Sequence, residues 1–346
     1  METALHQPLP VAGVTSNTVP WEALRAAGFF PVLLSPPRGK TEHADAYMED
    51  VFDARIRGIF EKLLSGEWES IDTLVIPRTS EQEHKLFLYL HEVARQEPGR
   101  KLPKTLLYNL LHARSPEASA YGLERTRELM EALGLSSDEP LLEAIKESNG
   151  ARNGVRAILE LRNDRLNGSE ALPLIGSFYF MDRGDYATLA ADAVVELSNR
   201  PKIAGPRVMI KGAPLDHVFL HRAIESHGAI VAAEDDWWGS RAAGGNIRTD
   251  GDLAEVIFEK YYLDAPSPRV FPSADDWFLD TAAKVDGVVF YLPPEDDVLG
   301  WDYPRQRKIL DERGIPHFLV RADASEGELS AEWHDGMEEF VVRLKR

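Results

Sequence analysis

Along the first third of the chain, short apolar runs alternate with amphipathic stretches. Val11 to Thr15 is one such run. Val19 to Gly28 then reads as a short helix with Pro20 in its first turn and Gly28 as its stop. Phe29 to Leu34 is a strand candidate. From about Ala44 to Leu64, Tyr47, Val51, Ile56, Ile59, Phe60 and Leu63 recur at helical spacing, which predicts a single helix closed by Gly66. Thr73 to Ile76 is a buried strand, Glu81 to Ala94 a helix, and Thr105 to Tyr108 a further strand. Strands alternating with helices imply a mainly parallel sheet covered on both faces.

The strand signal fades between about Ser115 and Arg200. Ser115 and Pro116 start a helix with a cap and a first-turn proline, and Gly134 ends it. Leu141 to Ser148 and Gly154 to Arg162 read as two shorter helices, and Asp182 to Ser198 as the last. Alternation resumes after Pro201. Arg207 to Ile210, Ala229 to Ala232, Val285 to Tyr291 and His317 to Val320 read as strands. Asp216 to Ser226, Asp252 to Tyr262, Asp275 to Lys284, Tyr303 to Arg313 and Ser330 to Leu344 read as helices. The fold class is therefore α/β, with two flavodoxin- or Rossmann-like parallel-sheet lobes, residues 1–112 and 201–346, joined by a helical segment over 113–200.

Composition narrows the chemistry. The 346 residues include 39 Lys and Arg against 57 Asp and Glu, for a formal charge of -18, and no basic block interrupts that balance. Nonspecific binding to nucleic acid or a membrane surface is thereby disfavoured, because a polyanion needs clustered cations. The N-terminus lacks the positive start and apolar run of a secretory signal, and no apolar stretch approaches a membrane span, so a cytoplasmic location is expected. The chain has no cysteine. That excludes disulfides, thiolate zinc sites, a cysteine nucleophile and a cysteine-ligated iron–sulfur cluster on this chain.

In open parallel sheets, ligands bind beyond the carboxyl ends of the strands. The segments there are Pro77 to Ser80, Gly212 to Asp216, Glu234 to Trp238 and Leu292 to Glu295. Gly212 opens a turn into a helix whose free N–H groups suit an anion such as phosphate, but no GxGxxG or P-loop pattern accompanies it, and a plain helix cap is the simpler reading. Glu234, Asp235 and Asp236 resemble a divalent-metal cluster, yet consecutive residues point in different directions, and Trp237 and Trp238 argue for a packed loop. His217 and His221 stand four apart without the glutamate of a zincin motif, which favours packing or surface histidines. Ser80 and His84 lack a nucleophile elbow, so Ser80 reads as the N-cap of the helix that Glu81 opens. Glu22, in the first turn of its helix, is suited to the helix dipole.

Taken in order, these segments resemble a known family. Val19 to Glu22, Ala26 to Val32, Ile71 to Ser80, Leu141 to Arg152, Arg207 to Pro214, His227 to Val231, Glu234 to Asp236, Asp286 to Phe290 and Arg313 to Pro316 are similar, in order and spacing, to the large D-component family of 2-hydroxyacyl-CoA dehydratases and benzoyl-CoA reductase subunits. The resemblance implies two α/β lobes with a helical part, working as a heterodimer of homologous subunits on an acyl-CoA thioester. It further implies a [4Fe–4S] cluster on three cysteines of each catalytic subunit, and a separate ATP-driven iron–sulfur activator that injects one electron to form a ketyl radical on the thioester. At the three cysteine positions this chain carries Asp53, Ser80 and Tyr291. Oxygen donors are poor substitutes for thiolates on a soft cluster, so the [4Fe–4S] group is expected only in a homologous partner subunit. Glu22 matches the glutamate of the family's Val-Pro-x-Glu segment, which the resemblance places near the cluster pocket as an acid or base.

Two other readings stay open. The chain is a non-redox acyl-CoA-binding or scaffold protein, or it is an enzyme that reuses an emptied cavity, with Asp53, Ser80 and Tyr291 holding another metal or substrate.

Overall fold

The computed structural model describes residues 2–345 except 6, 37–38, 50–51, 112, 114, 163, 265–274, 295 and 323–329. In chain order its main elements are β1 (Val11–Val14), α1 (Trp21–Ala26), β2 (Phe30–Leu33), α2 (Glu42–Asp45), α3 (Ala54–Leu64), β3 (Ile71–Pro77), α4 (Glu81–Gln96) and β4 (Lys104–Tyr108). There follow α5 (Pro116–Ala132), α6 (Asp138–Arg162), α7 (Gly168–Gly176) and α8 (Arg183–Leu197). The chain closes with β5 (Arg207–Gly212), α9 (Phe219–Ser226), β6 (Ile230–Glu234), α10 (Leu253–Glu259), α11 (Asp276–Ala282), β7 (Gly287–Tyr291), α12 (Asp297–Glu312), β8 (His317–Val320) and α13 (Ala331–Leu344). The strands form two four-stranded sheets, each parallel throughout, in the orders β2-β1-β3-β4 and β6-β5-β7-β8. The α/β class with two parallel-sheet lobes is therefore observed.

The residues divide into two compact units that do not follow chain order. One holds Met1–Gly150, Tyr179–Asp185 and Gly244–Pro272; the other holds Ala151–Phe178, Tyr186–Ala243 and Ser273–Arg346. In the first, Val11, Val32, Leu74 and Ile76 of the sheet pack against Ile59, Phe60 and Leu86 from α3 and α4. In the second, Val208, Ile210 and Val289 pack with Leu220 and Phe340 on one face, while Met209, Val288 and Phe290 pack with Phe278 and Leu310 on the other. Successive strand residues thus enter opposite cores, the period-two pattern of a sheet buried on both faces.

Several predicted elements take a different form. The single helix expected over 44–64 is two helices. Asp53 is extended at ψ 150° and accepts the Ile56 N–H at 2.7 Å, which starts α3 afresh. Glu61 reaches back to take the N–H groups of His43 and Ala44 at 2.8 and 2.9 Å, closing the front of α2. Val51, counted in that helical stripe, lies outside the described residues.

The opposite happens in α6, where the two helices expected over 141–148 and 154–162 are one. Asn149 spends its polarity away from its own helix, with Nδ2 on the Ile247 carbonyl at 2.8 Å and Oδ1 on the Ile247 N–H at 2.9 Å. Gly154 makes room for Ala190, whose Cβ lies 2.7 Å from where a Gly154 Cβ would stand. The helix expected from Asp216 begins only at Phe219, because the Leu215 N–H is drawn to Asp236 Oδ2 at 3.3 Å. The helix α7, capped by Asn167 and Glu170, has no counterpart among the expected elements, and the helix expected over Asp252 to Tyr262 is α10 continued by a π-helical turn, Lys260–Asp264.

Candidate functional site

In the first unit, β1 has β2 on one side and β3 on the other, so the loops leaving β1 and β3 part at its carboxyl end. Such a divergence point is where open α/β sheets hold ligands. The loop after β1 carries Thr15, Ser16 and Thr18, all buried, and the loop after β3 carries Thr79 and Ser80. Three hydroxyls from the two loops meet, with Ser16 Oγ 3.0 Å from Thr18 Oγ1 and 3.3 Å from Thr79 Oγ1, and Thr18 Oγ1 2.7 Å from Thr79 Oγ1. Beside them, Thr15 donates to Glu83 Oε1 at 2.8 Å and the Ser80 N–H donates to Glu83 Oε2 at 3.0 Å. Glu83 is therefore a brace between the two loops. Burial pushes its carboxyl up, against the charge of Arg55 and the Thr15 hydrogen bond.

Glu22 follows in α1 and is wholly buried. The N-cap of α1 is Pro20, which has no side-chain acceptor to offer. The phenol of Tyr261, delivered by the π-helical turn, accepts the Trp21 N–H at 3.2 Å and donates to Glu22 Oε2 at 2.8 Å. Trp21 is clasped by Arg183, centred 4.3 Å over its ring, and by the edge of Tyr179 at 6.3 Å. Two chain-distant segments thus fix one carboxylate.

Asp53 and Ser80 also lie in this unit, each as a helix N-cap. Asp53 caps α3. Ser80 Oγ takes the Glu83 N–H at 3.0 Å in a reciprocal capping box, as expected of a cap. The Asp53 N–H donates to Gln82 Oε1 at 2.6 Å, which links the two helix starts.

The second unit repeats the divergence at the carboxyl ends of β5 and β7. Gly212 and Tyr291 are register partners there, and a Cβ on Gly212 would stand 1.8 Å from the Tyr291 carbonyl oxygen, so only glycine fits. The Ala213 N–H donates to that same carbonyl at 3.2 Å. With Leu215 already held by Asp236, two amides of the anion-binding candidate loop are engaged within the protein. Tyr291 is buried at the end of β7. Glu295, the last residue of the segment after β7, lies outside the described residues.

Glu234, Asp235 and Asp236 are all buried and face different partners. Glu234 receives Arg162 at 2.5 Å, Ser240 Oγ at 2.9 Å and His221 Nε2 at 2.9 Å. Burial alone would raise its carboxyl, but Arg162 and His221 outweigh that and hold it far below the usual carboxylate range. Asp235 pairs with Lys211 at 2.5 Å and Arg241 at 2.8 Å. Asp236 accepts the N–H groups of Leu215, Trp238 and Gly239, and burial next to the Glu234 charge pushes its carboxyl up to about 7. This is the packed loop expected from the two tryptophans. His221, from α9, bonds to it; His217 lies outside α9, its ring 5.0 Å from that of Phe219 and tilted to it. Among the described residues no group of three or more His, Asp or Glu is placed to hold a metal ion.

Sequence reasoning found Glu22 and the β3 loop but missed Ser16, Thr18 and Tyr261. The first two follow β1, and reading Val11 to Val14 as a strand would have brought its loop under the same strand-end rule. Tyr261 lies 239 residues from Glu22 and left no local signal.

Among the described residues no helix is long and apolar enough to cross a membrane. The family model of the 2-hydroxyglutaryl-CoA dehydratase D-component matches residues 17–344. The chain is 22% identical over 334 residues to the beta subunit of (R)-2-hydroxyglutaryl-CoA dehydratase of Acidaminococcus fermentans, covering 88% of this chain and 85% of that one. It is likewise 22% identical over 324 residues to the beta subunit of (R)-phenyllactyl-CoA dehydratase of Clostridium sporogenes, covering 88% and 84%. With a match running from the loop after β1 to the end of α13, the chain belongs to the 2-hydroxyglutaryl-CoA dehydratase D-component family.

Proposed function

We propose that this chain is a cluster-free subunit of a 2-hydroxyacyl-CoA dehydratase complex. It pairs with a homologous iron–sulfur subunit and contributes part of the acyl-CoA pocket. Both named relatives are dehydratase beta subunits, which favours dehydration over the ring reduction of a benzoyl-CoA reductase.

The observation that carries this reading is the donor set at the three cysteine positions. Asp53 and Ser80 offer hard oxygens, and both are already engaged as helix caps, at 2.7 and 3.0 Å; Tyr291 is a phenol at the buried end of β7. These residues do not fit a [4Fe–4S] cluster, which is held by thiolates. The electron chemistry then belongs to the partner, served by an ATP-dependent iron–sulfur activator. This chain's own contribution is Glu22, which takes or returns a proton, together with the polar loops after β1 and β3; the burial of Glu22 and its hydrogen bond from Tyr261 support that reading.

Co-expression with a homologous cysteine-bearing subunit, followed by gel filtration and iron and sulfide analysis, tests the reading. A stable heterodimer is expected, with no more iron and sulfide than the partner carries alone, and with dehydration of a 2-hydroxyacyl-CoA that needs both chains. A chain that stays alone, or that gains iron of its own, overturns it.

A further inference from the structure

The ring nitrogens of His43, His91, His221 and His317 meet their side-chain partners at 2.7, 3.0, 2.9 and 2.9 Å, the range of ordinary hydrogen bonds. His227 and His334 differ. Their Nε2 and Nδ1 stand 3.4 Å apart, beyond that range, and with ring centroids 5.7 Å apart and planes tilted by 54° the rings meet at their nitrogen edges rather than stack. Two imidazole nitrogens that each lie about 2.0–2.1 Å from a tetrahedral zinc ion are separated by about 3.3–3.4 Å. The pair is spaced for an ion held by both.

The two rings are carried by elements that are already fixed. His227 is the C-cap of α9 and His334 lies in the first turn of α13. These helices pack together on one face of the second sheet, where Leu220 and Ile224 meet Met337, Phe340 and Val341, so the histidines are positioned before any ion arrives. Both are half-buried, which leaves an approach from solvent. Binding through Nε2 of one ring and Nδ1 of the other leaves the proton of each imidazole on its far nitrogen, the neutral form that ligates metals. Two such nitrogens suit a borderline ion such as zinc, copper(II) or nickel, whereas magnesium and calcium want oxygen ligands. Lys345 turns its charge to the His227 carbonyl at 3.1 Å, while the exposed Asp335 and Glu338 flank His334 along α13. The chain's formal charge of -18 favours a cation.

We propose that His227 and His334 form a two-histidine site for a borderline divalent transition-metal ion, with solvent completing the coordination and the ion tying the end of α9 to α13. The site uses none of the residues at the degenerate cysteine positions and does not depend on the acyl-CoA reading. The test is calorimetric titration of the full chain, stripped with chelator and exchanged into chelator-free buffer at neutral pH, with zinc chloride. One ion per chain is expected at roughly micromolar affinity, since two of the four ligands of a structural zinc site are present. His227→Gln and His334→Gln should each weaken zinc binding about tenfold or more, and the double variant no further than either alone, because each histidine needs the other to hold the ion. Magnesium chloride in place of zinc should give no binding. If a glutamine variant folds poorly, the wild-type chain decides by itself: its copper(II) electron paramagnetic resonance is expected to show coupling to two imidazole nitrogens. A wild-type chain that binds no zinc, glutamine variants that bind it as the wild type does, or a copper(II) spectrum with fewer than two imidazoles overturns the site.

Discussion

The phenol of Tyr261 serves Trp21 and Glu22 at once, accepting the N–H of one at 3.2 Å and donating to the carboxylate of the other at 2.8 Å. Its single proton is committed to Glu22 Oε2, because an N–H can only donate. Tyr261→Phe removes both an external cap of α1 and a bond to a buried carboxylate. It is expected to cost about 2 kcal/mol in urea unfolding, the scale of a lost cap or a charged hydrogen bond. In the proposed dehydratase complex it should also lower turnover. If Tyr261 acts through Glu22, adding Tyr261→Phe to Glu22→Gln lowers turnover no further; an additive second loss would make the tyrosine a structural residue only.

The caps at Asp53 and Ser80 separate a structural role from a ligand role at two degenerate cysteine positions. Asp53→Ala and Ser80→Ala are each expected to lower stability by about 1 kcal/mol, the usual cost of losing an N-cap side chain. Neither should change the metal content of protein prepared without chelator. A bound metal that either variant releases would restore the reading in which these oxygens hold an ion.

Much of this architecture was legible because it is written in local patterns. Seven of the eight strand positions, the Ser115 and Ser80 caps and the stops at Gly28 and Gly134 follow from residues that act within one turn of where they stand. What escaped was decided at a distance. The break expected between Ser148 and Gly154 is absent because Ile247 takes up the Asn149 side chain and Gly154 gives Ala190 room. Likewise, Pro20, read as a first-turn proline, is an N-cap without an acceptor of its own, and the acceptor comes from Tyr261, 240 residues beyond Trp21. Asp53 was the reverse case, a local cap signal hidden inside a convincing helical stripe.

Arg162 and Glu234 are both almost fully buried, so neither charge has water to fall back on. Arg162→Met leaves the carboxylate with His221 and Ser240 alone. A loss of about 3–5 kcal/mol is expected in urea unfolding, the cost of stranding one partner of a buried pair. Replacing both partners, Arg162→Met with Glu234→Leu, should recover a good part of it. If the double variant is no better than the single one, the ion pair is not what Arg162 contributes.

Gly212 tests the close approach of β5 and β7. A methyl group there has no space, since it would stand 1.8 Å from the Tyr291 carbonyl oxygen, and the obstacle is backbone rather than a movable side chain. Gly212→Ala is expected to cost about 3 kcal/mol or more, at the upper end of overpacking effects. A thermal melt reads it. A near-neutral substitution would mean that the two strand ends part readily, contrary to their paired register.

Asp236 and Glu234 should give the second unit two opposite dependences on pH. The Asp236 carboxyl is raised by burial and by the Glu234 charge to about 7, from an ordinary 3.8, despite the N–H groups of Gly239 and Leu215 that favour its charged form. Between those values the folded chain keeps a proton that the unfolded chain has released, so this residue's contribution to stability falls as pH rises through the window and returns as pH drops. Glu234 runs the other way. Held low by Arg162 and His221 against the effect of burial, it contributes stability above the ordinary carboxylate range, and that stability is lost as the solution is acidified below it. Asp236→Asn removes the first dependence and keeps the second. Urea unfolding of both proteins from about pH 4.5 to 8 is therefore expected to show the wild-type chain losing ground to the variant as pH rises. Lys211 and Arg241 pair with Asp235 rather than with Asp236. Two stability curves that run parallel over the whole range would mean that Asp236 is ionised throughout and that its three backbone N–H groups, not its burial, govern it.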